Sequence, residues 1–108
     1  MYFVKTPKFI PHLFPNLTWS IPNNNRELFL TFDDGPIPEV TPWVLEQLAQ
    51  YQAKASFFCV GDNVKKHPEV FAQVLNAGHV VGNHTYHHLS GWATDIIPYI
   101  QDIRRCAE

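Results

Sequence analysis

The sequence predicts an α/β fold built on parallel strands, and three observations carry that reading. Short apolar runs alternate with stretches of helical periodicity. No two-residue hairpin signal joins one run to the next. Each run ends in turn or loop sequence, the clearest being Asp33-Asp34-Gly35-Pro36 and Gly61-Asp62-Asn63. Strands that alternate with helices pair in parallel through right-handed crossovers. The chain has 108 residues, 45% hydrophobic and 17% charged, which suits one small globular domain with a modest core.

The first 26 residues read as an N-terminal arm. Pro7, Pro11, Pro15 and Pro22, with the run Asn23-Asn24-Asn25, break any long helix. Phe3, Phe9, Ile10, Leu13, Phe14, Leu17, Trp19 and Ile21 are apolar enough to pack, so an ordered arm with a short strand or a turn of helix is expected.

Leu28-Phe29-Leu30-Thr31-Phe32 is the first strand. Thr41-Pro42 marks a helix start, with a hydroxyl N-cap and proline at the first helical position. Trp43, Val44, Leu45 and Leu48 continue that helix as an apolar stripe towards Tyr51. The second strand is Ala55 to Val60, and Gly61-Asp62-Asn63 turns the chain. A second helix is clearest from Pro68 to Ala77, stopped by Gly78. His79 to Asn83 is the third strand, followed by a histidine loop. Thr94-Asp95 precedes a last helix carrying Ile96, Ile97, Ile100 and Ile103, with Pro98 in its first turn.

This order has a consequence for chemistry. Parallel strands point their carboxyl ends to one rim, where active sites gather. Asp33 and Asp34 follow the first strand, and His84-Thr85-Tyr86-His87-His88 follows the third. Both segments therefore reach the same rim. A zinc-type catalytic site uses three protein ligands and keeps a position open for water, a need that one carboxylate and two imidazoles meet. A second carboxylate can take the water's proton. On an extended segment adjacent aspartates face opposite ways, so one can bind metal while its neighbour stays free. His84 and His88 are the favoured imidazoles, with His87 as a neighbour or an exposed residue.

Each motif also has a plainer reading. Asp-Asp-Gly-Pro is a good turn sequence, and His-x3-His pairs are common on surfaces. Asp62 follows a strand too, but capping the next helix is its expected job. His12, His67 and His79 lack a partner pattern and read as structural or surface residues. Trp92 could stack on a sugar ring or pack in the core.

Some function classes find no support. Net charge is −2 without a long basic run, which gives no electrostatic case for nucleic acid or an anionic membrane. No apolar stretch approaches the roughly 20 residues that span a bilayer. Met1 to Lys8 lacks the pattern of a secretion signal, so a cytoplasmic location is the default and the true one is unknown. Cys59 and Cys106 form no CxxC and no disulfide framework, and read as reduced thiols, one of them buried.

Thr31-Phe32-Asp33-Asp34-Gly35-Pro36 resembles the first motif of the NodB-homology polysaccharide deacetylases, a carbohydrate esterase family. His84-Thr85-Tyr86-His87-His88 fits that family's second motif, His-Ser/Thr-x-x-His. Ala53 to Phe58 and Gly78 to His84 are similar to the intervening strands. The resemblance covers roughly residues 27–105, and makes 27–108 the N-terminal portion of a deacetylase domain. It implies the first βα units of a distorted (β/α)7-type barrel. The implied activity is hydrolytic removal of acetyl groups from an N-acetylated or O-acetylated polysaccharide. By motif position it makes Asp34, His84 and His88 the metal ligands, Asp33 the general base and Thr85 a brace for the histidine loop. Metal-bound water would attack the acetyl carbonyl. Zinc is the expected cation, although cobalt, nickel or iron suits the same donors.

The family's later motifs supply a base-orienting arginine, groove-lining residues and a histidine general acid, and nothing before Glu108 matches them. Three βα units cannot close a barrel, so self-association through an open sheet edge is expected if the chain is truncated. Two other functions stay in view: a non-catalytic relic that binds metal or glycan, and a different metal-dependent amide hydrolase. The sequence does not choose among chitin oligomers, peptidoglycan and acetylated xylan.

Overall fold

A computed structural model describes residues 5–108, so Phe3 lies outside the described part. The elements are α1 (Ile10–Leu13), β1 (Leu30–Asp33), α2 (Val40–Gln50), β2 (Ala55–Cys59), α3 (Gly61–Lys66), α4 (Pro68–Asn76), β3 (Val80–Asn83) and α5 (Ile96–Ala107). The strands form one parallel sheet in the order β1-β2-β3, as the alternation predicts. Leu30 lies opposite Ala55, and Ser56 opposite Val80.

Side chains alternate across the sheet. Ala55, Phe57 and Cys59 of β2 point to one face, where Leu45 and Leu48 of α2 and Val74 of α4 complete the core. Phe32 stacks on Phe57 with ring centroids 5.1 Å apart. Fully burying a leucine, valine or phenylalanine of this set contributes about 1.5–3 kcal/mol. The opposite face carries Thr31, Asp33, Ser56, Phe58, Val80 and Gly82, alternate members of the same register. Phe58 and Val80 are exposed there, although parallel sheets are normally covered on both faces.

The structure departs from the sequence expectations in several places. β1 begins at Leu30, not Leu28, because β2 begins at its register partner Ala55 and leaves earlier residues unpaired. Leu28 and Phe29 are exposed. α2 begins at Val40, one residue before the expected cap. Thr41 is buried inside it, and its Oγ1 accepts from the Ile37 N–H at 2.8 Å, closing the preceding turn instead of capping the helix. Gly61-Asp62-Asn63 is the start of the extra helix α3, not a bare turn. Asp62 lies in its first turn and pairs with Lys66 one turn on, so it caps nothing. The Lys66 hydrogen bond holds the Asp62 carboxyl below its usual range.

The α4 boundaries follow the sequence closely. Pro68 opens the helix, and Gly78, at φ +76, turns the chain while its N–H bonds the Leu75 carbonyl at 2.9 Å. Pro98 lies in the first turn of α5. The arm contains the single turn α1, but Phe9, Leu13, Phe14, Leu17 and Ile21 are exposed. They miss the expected packing, and the core forms without them from the strands, α2 and α4. Cys59 is buried and Cys106 half-buried, both as free thiols, and burial pushes the Cys59 thiol up to about 11.

His79 has a structural role. It is buried beside Phe57, and its Nδ1 accepts from the Ala55 N–H at 3.2 Å. Burial, helped by the Lys54 charge, holds its pKa below the ordinary histidine value. The folded state thus resists a proton that the unfolded chain accepts. Stability is expected to fall as pH drops through about 6.5 and below. Urea midpoints of wild type and His79→Gln, measured from pH 7.5 to 5, check this. The variant should show the flatter curve, and equal slopes would contradict it.

Candidate metal centre

The carboxyl ends of β1 and β3 lie on one rim of the sheet, flanking that of β2. Asp34 follows β1 directly and takes the left-handed region at φ 71, which aspartate tolerates better than most residues. It is therefore not in the extended segment that simple alternation assumes. Asn63 of α3 donates to the Asp34 carbonyl at 2.8 Å and fixes that turn. Asp33, the last residue of β1, lies on the open face and is exposed. Among the described residues its carboxylate has no hydrogen-bond or ion-pair partner.

The histidine loop is tied down from several sides. The His84 N–H bonds the Cys59 carbonyl at 3.0 Å. The N–H groups of Gly61 and Asp62 donate to the carbonyls of Thr85 and Tyr86 at 3.1 and 2.9 Å. This close docking needs a glycine, since a Cβ at Gly61 would stand 2.5 Å from the Tyr86 ring. Thr85 is buried, and its Oγ1 accepts from the Leu89 N–H at 3.0 Å, spanning the loop. Thr85 and His88 both hold positive φ, at 62 and 57.

The loop brings His84 and His88 together over Asp34. Asp34 Oδ1 stands 3.1 Å from His84 Nε2 and 3.0 Å from His88 Nε2. One ligand atom from each of the three lies within 4.8 Å of the other two. Metal–ligand distances near 2.0–2.1 Å in a tetrahedral site place neighbouring donors about 3.3 Å apart, so a divalent cation fits this trio. Two imidazoles and one carboxylate suit zinc, cobalt, nickel or iron. Beside His84 and His88 a groove of about 440 Å³ opens, walled by Leu89, Tyr99 and Ile103. Trp92 is fully exposed beyond the loop and does not join the core.

His87 turns away from the trio. Its Nδ1 meets Asp102 of α5 at 2.5 Å. Sequence reasoning missed Asp102 and Asn63. Asn63 had one available signal, its place just past a strand end. Asp102 had a fainter one, the helical spacing that puts it with Tyr99 and Cys106. Its carboxyl is pushed up by burial, but hydrogen bonds from His87 and Tyr86 outweigh this and hold it below the usual carboxylate range.

Comparison with known proteins gives the family. Residues 20–108 match the family model described as polysaccharide deacetylase. The chain belongs to the polysaccharide deacetylase family. It is 51% identical over 73 residues to a peptidoglycan-N-acetylglucosamine deacetylase of Bacillus cereus, covering 68% of this chain and 34% of that protein. It is 38% identical over 86 residues to a chitooligosaccharide deacetylase of Rhizobium leguminosarum bv. trifolii, covering 80% and 40%. Among solved structures, a peptidoglycan N-acetylglucosamine deacetylase superposes with a TM-score of 0.75 at 42% identity, over 79% of this chain and 40% of that one. The chain thus spans 34–40% of the length of these relatives. The parallel βα units expected at the start of a deacetylase barrel are those observed. Among the described residues, no helix is long and apolar enough to cross a membrane.

Proposed function

We propose that this chain carries the metal-binding part of a polysaccharide deacetylase that removes N-acetyl groups from glycans containing N-acetylglucosamine. The observation that carries this reading is the convergence of His84 and His88 on one oxygen of Asp34, at 3.1 and 3.0 Å. Asp34, His84 and His88 would hold zinc. When bound, the cation supplies a Lewis acid that polarises the acetyl carbonyl and makes water a better nucleophile. Asp33 is the general base: exposed, unpartnered among the described residues and one position from Asp34. Thr85, through its bond to Leu89, keeps the loop that presents both imidazoles. The groove beside them has the volume of an ordinary small-ligand site, enough for a sugar ring. Peptidoglycan and chitin oligomers are the favoured substrates, because the deacetylases named above are described as acting on those glycans.

The test is acetate release from N-acetylglucosamine oligomers by the chelator-stripped protein, before and after zinc is added. Release that depends on zinc supports the reading. Stoichiometric zinc binding without release favours a binding module on the same fold. Turnover of simple amides, but not of acetylated sugars, favours another amide hydrolase.

A further inference from the structure

The five residues from His84 to His88 form an unusual piece of backbone. Thr85 and His88 both sit at positive φ, and neither is glycine. Such conformations cost on the order of 1–3 kcal/mol each and persist only where surrounding contacts impose them. Gly61 and Asp62 grip the loop's carbonyls, and Thr85 Oγ1 grips Leu89. The N–H groups at its centre point instead towards α5. Asp102 Oδ2 accepts from the Tyr86 N–H at 2.8 Å and from the His87 N–H at 2.9 Å. Its Oδ1 meets His87 Nδ1. Asp102 is only 6% exposed, and a buried carboxylate is costly unless its lone pairs are engaged. Here they are engaged, all by this one loop. Helix α5 is further joined to the end of β3 by Asn83 Nδ2, which donates to the Ile103 carbonyl at 2.8 Å, and to the loop by Arg105, 4.0 Å over the Tyr86 ring.

We propose that Asp102 is a positioning residue for the metal centre: by holding two consecutive N–H groups between His84 and His88, it sets the angle at which both imidazoles face Asp34. Asp102 touches neither imidazole of the trio and acts through the backbone. The inference rests on the metal-site reading above. Its action is that of partners behind metal ligands, whose loss typically lowers metal affinity about 10–100-fold.

The test compares Asp102→Leu and Asp102→Asn with wild type. Zinc affinity is read by competition with a chromophoric chelator, and apo stability by urea unfolding in excess chelator. Asp102→Leu, similar in volume but without an acceptor, should bind zinc about 10–100-fold more weakly per folded molecule. Asp102→Asn keeps one oxygen able to accept both N–H groups and should stay within about threefold of wild type. A merely structural residue would change the urea midpoint and leave the zinc affinity of the folded molecules alone. Folded Asp102→Leu with wild-type affinity overturns the proposal, and so does Asp102→Asn as weak as Asp102→Leu.

If Asp102→Leu does not fold, amide hydrogen exchange of the wild-type apo protein decides. Slow exchange at Tyr86 and His87 supports the anchor, and exchange as fast as an open loop overturns it. Wild type that binds no zinc at all would sink the metal-site reading instead, and the exchange data would still judge the anchor.

Discussion

Replacing His84 by alanine, or Asp34 by asparagine, is expected to lower zinc affinity by at least about 100-fold while the fold survives. The magnitude follows from dividing the binding energy among ligands. Four-ligand structural zinc sites bind with about 10–16 kcal/mol, so one ligand is worth roughly 3 kcal/mol, or about 100-fold. Asp34 should matter at least as much as either histidine, since both imidazoles converge on its Oδ1. Asparagine is the informative replacement there, because it too accepts the φ of 71 that alanine would resist. None of the three belongs to the core around Phe57 and Val74, so losing a rim ligand leaves that core intact. His67→Ala is the control. His67 joins α3 to α4, outside the trio, and its loss should leave zinc binding unchanged. Chelator competition on all four proteins checks this. Equal weakening in the control would mean that zinc affinity reports general stability. Unchanged affinity in His84→Ala would remove that residue from the site.

Much of this arrangement is legible in the sequence because its signals are local. Leu28 to Phe32, Ala55 to Val60 and His79 to Asn83 are short apolar runs ended by turn or loop residues, and each holds one of the strands. Their alternation with helices dictated parallel pairing, and parallel pairing put Asp34 and the histidines on one rim. Spacing favoured His88 over His87, and the structure brings His88 to Asp34 while His87 turns to Asp102.

What was not legible depends on contacts distant in sequence. Asp102 is one acidic residue in an amphipathic helix, with nothing local to separate it from a solvated charge. Its burial appears only when α5 docks on the loop 15 residues earlier. Helix α3 was hidden because Gly61-Asp62-Asn63 is also turn sequence. Its first residue, Gly61, lies against Tyr86, a contact that no window around Gly61 reveals. The arm failed in the other direction. Its apolar residues suggested packing, but the core closes without them and Phe9, Leu13, Phe14, Leu17 and Ile21 stay exposed.

Asp33→Asn should separate chemistry from metal binding. Acetate release by the zinc-loaded protein is expected to fall by about 10²–10⁴-fold, the usual worth of a positioned general base, while zinc content stays at the wild-type level. Asparagine matches aspartate in shape, and the backbone pairing of residue 33 with Phe58 does not involve the side chain, so the strand should be unaffected. The amide cannot take a proton from water at neutral pH, whereas the carboxylate can. Two placements support Asp33 as the proposed base. It lies on the open face of the sheet, and its neighbour Asp34 is the residue on which both imidazoles converge. Asp62, the acid after β2, is unsuited to the role because Lys66 already occupies its carboxylate. The paired readout makes each failure informative. Loss of zinc together with activity would make Asp33 a ligand and exchange the roles of the two aspartates. Activity within a few-fold of wild type, with zinc intact, would show that another group takes the proton.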